Sequence, residues 1–78
     1  MRLCVFKTAT GPRLGHVRRN HVVDLSGMDP ALPTTRRAVA TGDAALKQTL
    51  AAFAQSCPHP TTLLRKADLQ ILDEWESS

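Results

Sequence analysis

Five prolines, at positions 12, 30, 33, 58 and 60, divide this 78-residue chain into short pieces. Proline has no backbone N–H and a fixed φ, so neither a continuous helix nor a central strand runs through one. The pieces between them differ in kind.

The first 25 residues read as strands. Leu3-Cys4-Val5-Phe6-Lys7-Thr8 is short, β-branched and aromatic, and Gly11-Pro12 ends it with a turn signal. Arg13-Leu14-Gly15-His16-Val17 and His21-Val22-Val23-Asp24-Leu25 follow as a hairpin. They are separated by Arg18-Arg19-Asn20, in which asparagine tolerates a positive φ. Three short strands in a meander place Leu3, Val5, Leu14, Val23 and Leu25 on one apolar sheet face, which needs a cover.

Ser26 to Pro33 is turn chemistry. Thr34 and Thr35 cap a helical turn over Arg36-Arg37-Ala38-Val39-Ala40, and Gly42 closes it as a left-handed C-terminal residue. Asp43 then opens the main helix, Ala44 to Ser56, on which Leu46, Leu50, Phe53 and Cys57 form one stripe. That stripe is the expected cover. Pro58-His59-Pro60 stops the helix, and Ala67 to Leu72, with Leu69 and Ile71 alternating against polar residues, predicts a closing strand. The expected fold class is α+β. It comprises a small three- to four-stranded, mostly antiparallel sheet, beginning as an N-terminal β-meander, covered by one main helix with a short helical turn before it. A single domain spans 1–72, and 73–78 is an acidic tail holding the only tryptophan, Trp75.

A chain of this size buries roughly 60% of its unfolded surface, and one core supplies about 3–5 kcal/mol, so a second lobe is excluded and association is a natural source of further stability. No window reaches the ~18 consecutive apolar residues of a membrane span. Lys7 interrupts the opening apolar run, which argues against an export signal. Cys4 and Cys57 are too few for a disulfide framework and too far apart for a CxxC site, so both are expected as reduced thiols in the cytoplasm.

Candidate chemistry is sparse. His16, His21 and His59 lack the close Cys/His pairs of a zinc site, and Asp73, Glu74 and Glu76 read as solubilising acids, so neither metal nor cofactor is expected. Cys4 is expected to be buried. Cys57 lies at a helix C-terminus, where the dipole disfavours a thiolate, so no catalytic residue is assigned. Gly11-Pro12-x-x-Gly15 is followed by no helix and cradles no phosphate.

Charge carries more. Residues 1–37 hold seven Arg or Lys against two Asp, whereas residues 38–78 hold three basic against five acidic side chains. Arg13, His16, Arg18, Arg19 and His21 concentrate on the second hairpin and are candidates for contact with an acidic partner surface. Neither Phe nor Trp interleaves with them and the chain has no Tyr, so nucleic acid, lacking a stacking platform, ranks last among partners. Trp75, flanked by acids, either docks in a partner's pocket or folds back over its own core. Docked on the basic hairpin of a second copy, it would make a symmetric homodimer.

The order of motifs is Met1-Arg2-Leu3-x-x-Phe6, Gly11-Pro12-Arg13-Leu14-Gly15-x-Val17, Val22-Val23-Asp24-Leu25, Leu32-Pro33, Thr41-Gly42-Asp43-Ala44-Ala45-Leu46 and Ala67-Asp68-Leu69-x-Ile71-Leu72. This order resembles the small N-terminal domain of the fumarylacetoacetate hydrolase family over residues 1–72. In that family the module precedes a larger β-rich domain that binds Mg²⁺ or Mn²⁺ and cleaves or decarboxylates 2-oxo acids. None of that domain's metal-ligand motif occurs in these residues. The resemblance therefore implies a non-catalytic accessory module whose partner is a separately encoded catalytic subunit of the family, with self-association second. Two rivals belong to other classes: an enzyme at a homo-oligomer interface, using His16, His21 or His59 as general acid or base on a 2-oxo acid, and a basic nucleic-acid binder.

Overall fold

A computed structural model describes residues 1–55 and 63–77. The chain is α+β, with five antiparallel strands and a helical layer. Strands β1 (Arg2–Thr8), β2 (Gly11–Arg18) and β3 (His21–Asp24) form the expected meander. Three helices follow: α1 (Leu25–Met28), α2 (Arg36–Ala40) and α3 (Ala44–Gln55). Strand β4 (Leu63–Arg65), a 3₁₀ turn at Lys66–Asp68 and strand β5 (Gln70–Glu76) complete the order. In the sheet the strands lie β4-β3-β2-β1-β5.

Local signals set most boundaries. Thr35 caps α2 by accepting from the Ala38 amide at 3.2 Å, and Asp43 caps α3 by accepting from the Leu46 amide at 2.9 Å. Asp24 does the same for α1, accepting from the Gly27 amide at 3.0 Å. Two turns differ from expectation. The first hairpin reverses at Ala9-Thr10, with Lys7 opposite Pro12, so Gly11-Pro12 opens β2 rather than ending β1. Proline is tolerated there because it lies at the start of a strand. In the second hairpin Arg19, not Asn20, takes the positive φ, at 56°. Gly42 stays out of the left-handed region, because Thr41 ends α2 and Asp43 at once caps the next helix, leaving no chain reversal to make. The end of the main helix near Cys57 and the Pro58-His59-Pro60 stop lie outside the described residues.

The anticipated apolar face exists. Leu3, Val5, Leu14, Val23 and Leu25 are buried with Leu32, Val39 and Leu50, and Leu46 and Phe53 pack against them from α3. Burying a side chain such as Leu50 is worth roughly 1.5–3 kcal/mol before ordering entropy is subtracted. A second apolar layer, not anticipated as such, lies on the other face, where Cys4, Phe6 and Val22 are buried beneath Val17, Leu64, Leu69 and Ile71.

The sheet itself covers this second layer. The outermost strands, β4 and β5, are joined only by residues 66–69. Four interstrand spacings of a flat sheet amount to about 19 Å, more than the ~17 Å that five residue steps reach when fully extended, and a 3₁₀ turn is shorter still. The sheet is therefore curled, bringing diagonal corners together over Cys4, Phe6 and Val22. Lys66 fastens the closure: its amide donates to the Asn20 carbonyl at 2.9 Å, and its ammonium lies 2.9 Å from the Glu74 carboxylate on β5.

The segment set aside as an acidic tail is, through Glu76, the edge strand β5, paired along β1 from Gln70 opposite Lys7 to Glu76 opposite Arg2. Its register shifts between Val5 and Phe6. Each acid has a counter-charge: Glu74 meets Arg2 Nε at 2.6 Å, Glu76 the amino terminus at 2.9 Å, and Asp73 Arg36 at 3.6 Å.

Gly15 leaves the space the second layer occupies. A Cβ there would collide with Val22 Cγ1 and come within 3.1 Å of Cys4 Sγ and Phe6 Cε1. Gly15→Ala is expected to cost about 1–3 kcal/mol in urea denaturation, part of it recovered in a Val22→Ala background. An additive double mutant would disprove the shared space.

Candidate functional site

The sequence candidates separate once placed. Arg13 is structural: its guanidinium holds Asp24 through Nη2 at 2.9 Å and Nε at 3.1 Å, tying β2 to the carboxylate that caps α1. His16 sits opposite Leu3 and Val23 on the helix-covered face, half-buried, and its buried Nδ1 makes no hydrogen bond among the described residues. Burial, with Arg18 and the amino terminus nearby, depresses its pKa, so the neutral imidazole adds no charge to the hairpin. Trp75 is 6% exposed, opposite Leu3 in the first core, with the Arg36 guanidinium 5.5 Å from its ring centroid. Of the two readings of Trp75, the structure takes the fold-back.

Arg18, Arg19 and His21 remain together at the β2–β3 turn, and the structure adds Arg65 to them. Arg18 lies directly opposite His21, and His21 directly opposite Arg65, so the three form one row across β2, β3 and β4. Residues directly opposite in a sheet point to the same face, so the row sets two guanidinium groups on either side of one imidazole. Among the described residues the acid paired with Arg65 is Asp68, 3.8 Å away with both side chains mostly exposed, a pair of little energetic weight. Beside the row opens a groove of about 770 Å³, lined by Asn20, His21, Arg65, Lys66, Leu69 and Ile71. Its lining mixes apolar Leu69 and Ile71 with basic Arg65 and Lys66. Sequence reasoning missed Arg65 and Lys66. Their signal was the one adjacent basic pair in the acidic half of the chain, but placing it required the β3–β4 pairing.

Burial pushes the Cys4 thiol up to about 11, helped by the nearby Glu74 charge, which leaves it a protonated core side chain. Among the described residues no three His, Cys, Asp or Glu side chains gather as a metal site would require. Cys57 and His59 lie outside the described residues. The arrangement can attract and orient an anionic surface.

Comparisons of the chain with protein-family models, with curated proteins and with solved structures find no match. Among the described residues no helix is long and apolar enough to cross a membrane.

The raised Cys4 pKa fixes the sign of an alkaline effect. The folded state keeps the neutral thiol while an unfolded cysteine, with its ordinary value of 9.0, ionises. The stability this contributes is complete below about pH 9 and is lost as pH rises through about 11, a change on the order of 2–3 kcal/mol. Denaturation midpoints followed from pH 8 to 11 should fall more steeply for wild type than for Cys4→Ala, and equal slopes would place the thiol in water.

Proposed function

We propose that this chain is a non-catalytic interaction module that docks an acidic surface of a partner protein in the groove beside Arg19, His21 and Arg65. The observation that supports this most directly is the cross-strand row, which collects basic side chains from two distant parts of the sequence at one concave end of the sheet. The resemblance to the N-terminal domain of the fumarylacetoacetate hydrolase family supplies the partner's class: a separately encoded, metal-dependent hydrolase or decarboxylase of 2-oxo acids. Two cysteines, too few for a disulfide framework, support a cytoplasmic encounter.

Self-association through the tail loses ground on this reading. Asp73, Glu74 and Glu76 already face internal cations, and Trp75 is in the core, so a second copy's basic hairpin meets neither a free acidic strand nor an exposed anchor. For an enzyme at a homo-oligomer interface using His16, His21 or His59, the structure turns His16 toward the helical layer and leaves His21 exposed on β3, and His59 lies outside the described residues.

The test is affinity purification from native lysate with wild type and with Arg19→Glu/Arg65→Glu, both substitutions on exposed side chains. The expected result is stoichiometric recovery of a metal-dependent 2-oxo acid hydrolase or decarboxylase by wild type, with recovery by the variant reduced at least ~10-fold. Light scattering on the purified wild type accompanies it. A chain that recovers only itself, or a nucleic acid whose binding collapses steeply with salt, overturns the proposal.

A further inference from the structure

Trp75 and the carboxy-terminal end of β5 face a second concavity, unrelated to the basic groove. It lies between α2, α3 and β5, has a volume of about 420 Å³ and is lined by Val39, Lys47, Leu50, Ala51, Trp75 and Glu76. Small-molecule sites commonly occupy about 300–1,000 Å³ and combine an apolar floor with a few placed polar groups. The floor here is Leu50 and Trp75, both core residues and therefore fixed in position. Trp75 is held further by its place opposite Leu3 in the sheet and by Arg36 near its ring.

The charged groups at the rim decide which ligand fits. Glu76 is already engaged, its carboxylate 2.9 Å from the amino terminus, whose hydrogen bond holds it below the usual carboxylate range. Lys47 is exposed on α3, and its ammonium has no hydrogen-bond or ion-pair partner among the described residues. Among the described residues of the lining, Glu76 is thus matched by the Met1 amino terminus, which also lines the cleft, and Lys47 is unmatched. An uncompensated cation beside an apolar floor complements a molecule with an apolar body and one negative end.

We propose that this cleft binds a small organic carboxylate, with its apolar body against Trp75 and Leu50 and its carboxylate on Lys47. The site is independent of the partner groove, which draws on none of these residues.

The chain reports on the cleft by itself, because Trp75 is its only tryptophan and it has no tyrosine. Intrinsic fluorescence would be titrated with phenylacetate, 2-phenylethanol and 2-phenylethylamine, three probes sharing a ring and differing in head-group charge. Saturable changes with phenylacetate strongest, by roughly threefold over the alcohol, are expected for an exposed ion pair added to shared apolar contact. Lys47→Gln should leave alcohol binding unchanged and erase the preference for the acid, and Lys47→Glu should reverse the order toward the amine. Lys47 is on the surface of α3, so these variants leave the core intact, which circular dichroism checks. Absence of a saturable change with all three probes, equal binding of acid and alcohol by wild type, or an acid preference that survives Lys47→Gln overturns the proposal.

Discussion

Burial of β1 on both faces is the constraint on which the rest depends. Leu3 and Val5 point into one layer, Cys4 and Phe6 into the other, and all four are at most 5% exposed. A strand buried on both sides needs two covers, and the described residues supply a single helix of several turns. Helices α1 to α3 close one side. Curling the sheet until β4 and β5 lie a few residues apart closes the other, which makes Gly15 and Lys66 necessary: one leaves room for Val22 against Cys4 and Phe6, the other clasps the corners. Removing any of these parts exposes a face of β1.

This closure redistributes charge. In the sequence the amino-terminal half is basic and the carboxy-terminal half acidic, a polarity that suggests one half reaching for a partner's other half. In the fold the two halves are neighbours, because β5 lies alongside β1. Glu74, held below the usual carboxylate range by Arg2 first and Lys66 second, is an internal counter-charge of the sheet. Its protonation would remove stability as pH falls below the ordinary carboxylate range. Exposed arginines of opposite ends of the sequence, Arg19 at the β2–β3 turn and Arg65 on β4, are left near one another at the other edge of the sheet order.

What was legible in the sequence is what is local. The three strands of the meander follow from short β-branched and aromatic runs between turn signals, α2 and α3 from the caps Thr35 and Asp43, and the first core from Leu14 and Val23 on the sheet and Leu50 on the helix stripe. Turn position was less legible, because Gly11-Pro12 carries the same signal whether it ends a strand or begins one. Strand β4 is three residues long, too short for any periodicity, and exists because β3 offers it an edge. The acidic strand was misread for the complementary reason: Asp73, Glu74 and Glu76 look solvated until Arg2, Lys66 and Arg36 arrive from elsewhere in the chain. Composition counts charges but does not pair them.

The two concavities accordingly ask for different occupants. Lys66 lines the groove, but its charge is matched by Glu74, so attraction there comes from Arg19 and Arg65, exposed side chains on the turn and the edge strand. Exposed charges act over about a Debye length, ~8 Å at physiological salt, and set encounter rate and orientation more than close fit. Such a surface suits a large acidic protein face whose own shape supplies the rest of the contact. In the cleft the order is reversed, since Leu50 and Trp75 are fixed by the core and only Lys47 is free to adjust. Shape is decided first there and charge second, which selects a small molecule over a surface.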